Sequence, residues 1–488
     1  MTVTRSDIII VGAGFAGVGL GIRLKERGMN DFIILERGAD VGGAWRDNVY
    51  PGVACDVPSL LYSYSFRPTG EWSRVYAPGK EIWDYIRDCA TTDGVMEHIS
   101  FGVTMEHAQW DTEAHEWVLQ TTAGEYRTPM FIGAMGHLAD PKAIEVPGRD
   151  SFAGPVFHSA QWDPSADLRG KRVGVVGTGA SALQIIPRMA EMADEVVVFQ
   201  RSACYVVPRA DRPYTDAERR RFARDPEAIT EAREQMFWDM EANFAQRRMV
   251  PEKLAEGKAM ALGHLADQVA DPELRAKLTP DYEIGCKRVL ISNEYFPAFL
   301  RPNVTLETSG FKEFADGKAV ATSGNAYELD ALIMATGFEA AKPIYAPHFV
   351  NGEGRSLEDE WESGMHAFGS ITVAGFPNLF LINGPNTGLG HNSVLFVIES
   401  QIDFVLGMLD DFYARGLKEI EVTEQAEQYY EGEIETLSKG TVWLEGGCKN
   451  WYVDPNTGKL TVTWPDFAYA FREYNGEYHT EDFAGVGA

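Results

Sequence analysis

Cysteine, histidine and long apolar runs are all scarce in this sequence of 488 residues. The cysteines lie far apart in sequence, so there is no CxxC redox motif and no thiol metal site; they are Cys55, Cys89, Cys204, Cys286 and Cys448. Scattered single cysteines are typical of reduced thiols in a cytoplasmic protein, and we therefore predict that location. The 10 histidines show no HxxxH spacing, and we expect no metal.

A signal peptide and a membrane span are also missing from the sequence pattern. The first apolar run, Ile8 to Val11, is short and ends in a glycine motif, so it predicts a strand of a folded domain. Acidic residues outnumber basic ones. The sequence has 44 lysines and arginines and 72 aspartates and glutamates, which gives a formal net charge of −28. Such a surface repels nucleic acid and anionic lipid, and we expect neither as a partner.

The first of two glycine-rich motifs lies in a predicted strand–loop–helix–strand unit over residues 7–37. It reads Gly12-Ala13-Gly14-Phe15-Ala16-Gly17. The first glycine permits a tight turn, the second lets the backbone approach a pyrophosphate, and the third lets helix and strand pack closely. The helix N-terminus then offers amide groups to phosphate. Glu36 follows at about the 20-residue distance expected for the acid that binds ribose hydroxyls.

The second motif repeats this plan with different chemistry at its end. It reads Gly177-Thr178-Gly179-Ala180-Ser181-Ala182, where Ala182 replaces the third glycine. The strand after its helix ends in Gln200-Arg201-Ser202, without an acid. A cation and a hydroxyl suit a 2′-phosphate, so this site favours NADPH over NADH. Glu36 disfavours a 2′-phosphate at the first site, and the double glycine Gly42-Gly43 there suits FAD.

Two such motifs predict an α/β protein with two Rossmann-like dinucleotide-binding domains, for FAD and NADPH, and a helical insertion in the NADPH domain. The predicted segments are 1–145 (FAD domain, first part), 146–210 (NADPH domain, first part), 211–284 (helical insertion), 285–334 (NADPH domain, second part) and 335–488 (FAD domain, second part, with a C-terminal substrate-pocket loop).

Three further motifs resemble one enzyme family. Residues 152–163 contain the pattern Phe-x-Gly-x3-His-x3-Trp-Asp, residues 42–56 contain Gly-Gly-x-Trp-x4-Tyr-Pro-Gly-x3-Asp, and residues 285–288 read Gly-Cys-Lys-Arg. They are similar to the signatures of the Baeyer–Villiger monooxygenases, and the resemblance runs over nearly the whole chain. Related heteroatom-oxidising flavin monooxygenases usually carry Tyr or Phe where Trp162 stands.

The resemblance implies a reaction and a set of site residues. NADPH reduces FAD, the reduced flavin and dioxygen form a C4a-peroxide, and this attacks a ketone to give an ester or lactone. Arg288 and Asp56 are the expected catalytic residues: the arginine stabilises the peroxide and the adduct oxyanion, and the aspartate positions it. His158 and Trp162 are expected to play structural, interdomain roles.

The remaining expected contacts are with the two cofactors. Those with FAD are Gly12, Gly14, Phe15, Ala16, Gly17, Glu36, Arg37, Gly43, Ala44, Trp45, Asp56, Tyr62, Met105, Thr336, Gly337 and Asn386. Those with NADP are Gly177, Thr178, Gly179, Ala180, Ser181, Ala182, Arg201, Ser202, Lys287 and Trp451; the last of these is expected to cover the cofactor.

Three other functions stay open from the sequence. A heteroatom monooxygenase forming N- or S-oxides would use the same cofactors. A pyridine nucleotide–disulfide reductase needs a cysteine pair, which the spacing does not provide. A redox sensor would bind both cofactors without turnover. The ketone itself (linear, cyclic, aryl or steroid) and the choice between monomer and homo-oligomer are not encoded in a motif. Met236, Phe237 and Trp238 are apolar candidates for the substrate pocket, together with a loop at 440–452 that we expect to move.

Overall fold

The computed structural model describes residues 3–142 and 145–487. The strands are β1 Val3–Arg5, β2 Ile8–Val11, β3 Phe32–Glu36, β4 Ile99–Phe101, β5 Met105–Asp111, β6 Glu116–Thr121, β7 Gly124–Thr128, β8 Met130–Gly133, β9 Val156–His158, β10 Arg172–Val176, β11 Glu195–Phe199, β12 Val206–Val207, β13 Leu290–Ile291, β14 Val304–Glu307, β15 Phe311–Ala315, β16 Lys318–Ala321, β17 Ala326–Tyr327, β18 Ala331–Met334, β19 Phe349–Val350, β20 Leu379–Leu381, β21 Leu417–Val422 and β22 Phe483–Gly487.

The α-helices are α1 Phe15–Glu26, α2 Ala44–Asp47, α3 Gly79–Thr92, α4 Ala180–Met192, α5 Asp216–Arg224, α6 Glu227–Glu241, α7 Phe244–Arg247, α8 Pro251–Gln268, α9 Pro272–Leu278, α10 Tyr295–Ala298, α11 Leu357–Glu360, α12 Val394–Ala414, α13 Glu424–Ser438, α14 Val442–Glu445 and α15 Ala468–Asn475.

A parallel sheet in the order β20-β8-β2-β3-β4 organises the first nucleotide-binding unit. Its central strand β2 consists of branched apolar residues that are all buried, as expected for a parallel strand covered on both faces. Ile9 lies opposite Ile33 on β3, and Ile10 lies opposite Ile132 on β8. Because β20 comes from the second half of the chain, this unit is assembled from two distant segments.

A second parallel sheet, in the order β14-β11-β10-β18-β9, repeats the arrangement. Val175 on the central strand β10 lies opposite Val198 and Ile333 on its two neighbours. Helix α4 starts directly after the glycine loop that follows β10. The two parallel sheets, each with its strand–glycine loop–helix unit, confirm the predicted α/β fold class.

The other elements connect and cover these two units. Strands β1-β7-β6-β5-β19 form a third sheet of mixed direction, and β15-β16-β17 form an antiparallel sheet whose turns contain Asp316-Gly317 and Ser323-Gly324-Asn325. Helices α5 to α9 lie within the predicted helical insertion, 211–284. Helix α12 packs its apolar side on α1, so much of it is buried. The five segment boundaries stay predictions, and their outer limits, residues 1 and 488, lie outside the described residues.

The prediction that all cysteines are unpaired is wrong. Cys286 and Cys448 form a disulfide with their Cα atoms 6.1 Å apart, although 162 residues separate them in sequence. Cys55, Cys89 and Cys204 are buried and free. Spacing along the chain indicates only pairs of cysteines that are close in sequence, whereas folding brings two distant segments together. The predicted cytoplasmic location loses its support from cysteine usage and stays a prediction.

Over residues 3–142 and 145–487, none of the helices has the length and apolar character required to cross a membrane.

Candidate active site

The first glycine motif forms a cradle in which side chains would not fit. Gly12 has a φ of +108°, and a Cβ there would lie 2.5 Å from the carbonyl oxygen of Ala134. A Cβ on Gly17 would lie 1.9 Å from the carbonyl oxygen of Gly12. Gly14 instead faces the second glycine turn, because a Cβ on it would lie 3.8 Å from the Cα atom of Gly43. The two glycine turns therefore pack closely against each other, and the backbone amides at the N-terminus of α1 are the groups that suit a pyrophosphate.

Glu36 lies at this cradle because a loop amide holds it there. Its Oε2 accepts a hydrogen bond of 2.9 Å from the backbone N–H of Ala13, inside the glycine motif. Its Oε1 accepts hydrogen bonds from Gly38 N at 2.6 Å and from Arg46 Nη1 at 2.7 Å. The carboxylate is buried, so Arg46 provides the compensating charge. Arg46 was not predicted from the motif, although it directly follows Trp45.

Aromatic residues from three segments meet beside the cradle. Trp45 Nε1 donates to the hydroxyl of Tyr62 at 3.2 Å, and the Tyr62 ring meets Phe15 edge-on with 5.4 Å between ring centroids. Burial raises the pKa of Tyr62, so its hydroxyl stays protonated. Ala16 is buried, and Ala44 begins α2. The predicted FAD contacts near the first motif therefore share one wall.

The remaining predicted FAD contacts have different surroundings. Arg37 forms an ion pair with Asp140 at 2.7 Å, and Met105 begins β5. Asn386 is buried, but its amide donates to the carbonyls of Leu460 at 2.8 Å and Thr463 at 3.2 Å, so its donors hold the C-terminal segment. Its role as a flavin contact stays a prediction.

Thr336 and Gly337 follow β18, where the chain leaves the second sheet. The hydroxyl oxygen of Thr336 is buried without a hydrogen-bond partner in the described part of the chain. Gly337 adopts a φ of +93°, in the left-handed region that favours glycine. A buried hydroxyl that lacks a partner indicates a polar ligand at this turn.

The second glycine motif forms a similar but more open loop. Gly177 has a φ of +117°, and a Cβ there would lie 2.4 Å from the carbonyl oxygen of Ala335. A Cβ on Gly179 would meet nothing within 4 Å, so its surroundings are open. Ala180 and Ser181 begin α4, and Ala182 is completely buried, which shows that the core accepts its methyl group. Thr178 Oγ1 donates to the carbonyl of Ser202 at 2.9 Å.

That hydrogen bond connects the glycine loop to the strand end that carries Arg201. Arg201 and Lys287 together are called the cationic corner. Arg201 is exposed and Lys287 is half-buried. Burial lowers the pKa of Lys287, and the positive charge of Arg201 lowers it further. Lys287 Nζ also lies 4.7 Å from the centroid of the Tyr282 ring. Two cations that repel each other in a protein of net charge −28 fit a site for a doubly charged phosphate.

Arg288 and Asp56 form the ion pair at the junction of the two units. Arg288 Nε donates to Asp56 Oδ2 at 2.9 Å, and Nη2 donates to Oδ1 at 2.8 Å. The side chains are 36% and 27% exposed, so the pair is partly accessible to solvent. The negative charge of Asp56 raises the pKa of Arg288, which keeps the guanidinium charged. Arg209 holds the neighbouring backbone by donating to the carbonyl of Cys55 at 3.1 Å.

His158, Trp162 and Trp451 occupy separate positions. His158 Nδ1 accepts from the backbone N–H of Ala160 at 3.1 Å, and burial lowers the pKa of this histidine. Trp162 packs edge-on against Phe157, with 5.0 Å between ring centroids. The Trp451 ring is 39% exposed and lies 4.8 Å from the ring of Tyr452. The roles of all three stay predictions.

Comparisons with known proteins identify relatives over almost the whole chain. Residues 9–215 match a family model described as pyridine nucleotide-disulphide oxidoreductase. A Baeyer–Villiger monooxygenase from Streptomyces coelicolor is 40% identical over 467 residues, covering 95% of this chain and 90% of that protein. Another, from Pseudomonas aeruginosa, is 39% identical and covers 96% of this chain and 90% of that protein.

The chain belongs to the Baeyer–Villiger monooxygenase family. Solved structures agree: an oxidised steroid monooxygenase bound to NADP superimposes with a TM-score of 0.87 at 28% identity, covering 99% of this chain and all of that one. Cyclohexanone monooxygenase from Rhodococcus sp. Phi1 bound to NADP+ has the same fold, with a TM-score of 0.88 at 24% identity over 100% of both chains. The resemblance stated from the motifs is therefore confirmed.

The match to the disulphide oxidoreductase family covers nucleotide-binding sequence rather than a redox cysteine pair. Cys55, Cys89 and Cys204 fall within residues 9–215, and all three are free. The disulfide joins Cys286 to Cys448, beyond the matched region. The expectation that the chain has no cysteine pair is therefore wrong, whereas membership of the Baeyer–Villiger family rests on the full-length relatives.

Gln184 on α4 is a site residue that sequence reasoning missed. Its Oε1 accepts from the hydroxyl of Tyr50 at 3.1 Å, and its Nε2 donates to the carbonyl of Ala54 at 2.9 Å. The side chain therefore ties the helix of the second glycine motif to the segment that ends in Asp56. A cleft of about 570 Å³ lies beside it, lined also by Tyr76, Arg209 and Asn293. The only feature of the sequence that could have indicated Gln184 is its position one turn into α4.

Arg247 is the second missed residue. It is 5% exposed, and Nη2 donates to the carbonyl of Gly390 at 2.8 Å. No carboxylate pairs with it in residues 3–142 and 145–487, and burial lowers its pKa to about 10, with a further decrease from nearby Arg288. Of the apolar residues predicted for the pocket, Phe237 is buried and Trp238 is 56% exposed. The helical insertion therefore contributes a cation near Arg288, which its apolar pattern did not indicate.

Proposed function

We propose that this protein is a Baeyer–Villiger monooxygenase that binds FAD, oxidises NADPH and converts a ketone and dioxygen into an ester or lactone and water. Support comes from family membership and from two glycine cradles of different character. The first is closed by the acid Glu36, and the second opens onto the cations Arg201 and Lys287. These differences suit FAD at the first cradle and a 2′-phosphate at the second.

The observation that carries the proposal is the Arg288–Asp56 pair. Insertion of oxygen next to a carbonyl passes through a tetrahedral adduct whose oxygen is negatively charged. A group that keeps its positive charge stabilises that oxygen, and an arginine meets this requirement because it does not deprotonate. The two hydrogen bonds to Asp56 orient the guanidinium and leave Nη1 without a partner in the pair. That N–H group is available to the reacting oxygen.

The remaining residues bind and orient. FAD, when bound, supplies the electron transfer and the oxygen activation. Phe15, Trp45 and Tyr62 would form the wall against the flavin, and the amides at the start of α1 would hold its pyrophosphate. Arg201, Ser202 and Lys287 would hold the 2′-phosphate of NADPH. Gln184 would hold the segment that contains Asp56 in a fixed position against α4, the helix that would bind the nicotinamide nucleotide.

The test uses the FAD-loaded protein with NADPH and ¹⁸O₂. A cyclic ketone should yield a lactone that contains one ¹⁸O atom, with one NADPH consumed for each lactone formed. A thioether offered in parallel reports sulfoxidation. If the thioether is oxidised while none of a panel of linear, cyclic, aryl and steroid ketones gives an ester, the protein is a heteroatom monooxygenase and the proposal is wrong.

A further inference from the structure

The disulfide connects two segments that both carry predicted cofactor or catalytic residues. Cys286 lies two residues before Arg288, and Cys448 lies three residues before Trp451. We call residues 446–451 the C-terminal loop. At its start, the carbonyl of Gly446 accepts from the backbone N–H of Glu283 at 2.9 Å. The loop therefore packs directly against the chain that leads to the catalytic arginine.

Few other contacts hold this loop. The side chain of Asn450 donates to the carbonyl of Trp443 at 2.8 Å, within the same C-terminal region, and makes a longer contact of 3.9 Å with the Cys286 sulfur of the disulfide itself. In the described part of the chain, residues 447–451 make no backbone hydrogen bond to another segment. Lys449 and Trp451 are exposed. The disulfide is therefore the main tether between the far end of the loop and the Arg288 segment.

We propose that Cys286 and Cys448 form a redox-active thiol–disulfide site whose oxidised form clamps the C-terminal loop against the Arg288 segment and whose reduced form releases it. Because Trp451 is expected to cover NADP, the proposal rests on the proposed function. Release of the loop weakens the hold on NADPH and exposes the site to water, so reduction lowers the efficiency of oxygen insertion.

The chemistry is a dithiol exchange with an accessible entry point. Cys448 is half-buried and Cys286 is buried, so a dithiol reductant attacks the Cys448 sulfur and Cys286 leaves as a thiolate. Lys287 and Arg288 follow that thiolate in the chain and favour its negative charge. The second thiol of the reductant then releases Cys448, giving two protein thiols and one reductant disulfide. Hydrogen peroxide reverses the change by taking up two electrons and two protons to form two waters.

The first experiment counts thiols and measures loop release on the FAD-loaded protein. After air oxidation and denaturation, three thiols should react, from the free cysteines Cys55, Cys89 and Cys204. Dithiothreitol should expose the other two and add the mass of two hydrogens. Trypsin should then cut after Lys449 about tenfold faster, because cleavage follows the population of the open loop. Reactivity of all cysteine thiols before reduction would overturn the proposal, as would an unchanged cleavage rate.

The second experiment measures NADPH binding and coupling. Reduction of the wild type, and separately Cys448→Ser, should raise the KM for NADPH several-fold and increase the hydrogen peroxide released per NADPH. Cys89→Ser removes a buried free thiol from α3 and is the matched control, for which reduction should have the same effect as in the wild type. If the KM for NADPH is the same in both redox states, the proposed coupling between the disulfide and NADPH binding is wrong. Since thiol count and cleavage need no turnover, they succeed or fail independently of the ketone oxidation.

Discussion

At the scale of single residues, charge placement explains the candidate site. The protein is strongly acidic overall, yet cations gather where the predicted ligands carry negative charge. Arg201 and Lys287 lie together at the second cradle, and Arg288 lies at the junction of the two units. Of these, only Arg288 has a carboxylate that receives two hydrogen bonds from it, and that pairing orients its fork. An arginine whose guanidinium is held by a partner has a fixed orientation, whereas a surface arginine without one is mobile.

Removal of the guanidinium at Arg288 should separate reduction from oxygenation. Arg288→Ala should leave FAD bound and reduced by NADPH, while ester formation falls at least about a hundredfold, the usual scale for loss of an oxyanion-stabilising donor. Hydrogen peroxide should accumulate instead. Stopped-flow absorbance measures the reduction of FAD by NADPH, and product analysis measures ester formation. Arg355→Ala, which removes an exposed arginine paired with Glu360, is the control. Normal ester formation by the Arg288 variant would remove it from the catalytic assignment.

The cationic corner should set the choice between NADPH and NADH. Arg201→Ala should reduce kcat/KM for NADPH roughly 10- to 100-fold, since a charged hydrogen bond contributes about 1.5–3 kcal/mol. The value for NADH, which has no 2′-phosphate, should change little and serves as the internal control. Steady-state kinetics with both nucleotides give the ratio. A wild-type preference for NADH would refute the assignment of Arg201.

At the scale of elements, helices carry polar groups into positions that their sequence pattern does not reveal. Helix α4 brings Gln184 to the Asp56 segment. Helix α13 brings Glu427 into the interior, where one carboxylate oxygen accepts from Ala374 N at 3.1 Å and the other has no hydrogen bond in the described residues. His366 lies 3.8 Å away. Burial raises the pKa of Glu427 to about 7 despite that histidine.

This buried acid predicts a pH-dependent stability. Between the unfolded and folded pKa values the folded protein binds the additional proton, so its stability falls as pH rises from about 4.5 to 7. Glu427→Gln should therefore stabilise the protein by on the order of 2 kcal/mol at about pH 8 and much less at about pH 5. Thermal unfolding at both values measures this. Glu433→Gln, on the same helix, is the matched control, and an equal effect from both variants would contradict the assignment to Glu427.

At the scale of the whole molecule, both halves of the chain complete the first nucleotide-binding unit. Strands β2, β3, β4 and β8 come from the first third of the chain, and β20 from the last third. The predicted FAD contacts are divided in the same way, between the segment of Gly12 and the turn at Thr336 and Gly337. A ligand bound at both segments opposes their separation on unfolding.

FAD should therefore act as part of the fold. Protein stripped of FAD should unfold at a lower temperature, and titration with FAD should restore stability by about 2.7 kcal/mol at a hundredfold excess over Kd. Calorimetry across an FAD series measures this, with riboflavin as the control that lacks the pyrophosphate. An unfolding temperature that is independent of FAD would show that the cradle does not bind it.

The local units could be predicted because their rules act over short distances along the chain. A run of branched apolar residues, a glycine at positive φ and a following helix are neighbours in sequence, and steric limits on the backbone decide each of them. The two cradles, the acid at Glu36 and the fold class were accessible for that reason. The basic residues Arg201, Lys287 and Arg288 were accessible because they lie in or beside recognisable motifs.

The tertiary structure decided which distant residues meet, and of the pairs that follow only Arg288 with Asp56 was expected beforehand, from the family resemblance. Arg288 and Asp56 are 232 residues apart, Cys286 and Cys448 are 162 apart, and Gln184 and Ala54 are 130 apart. No local pattern encodes these pairs, because each depends on the order of strands in a sheet and on where the chain returns to it. By itself, the sequence determined the cofactor cradles and the charge available; packing of distant segments determined the ion pair, the disulfide and the burial of Arg247.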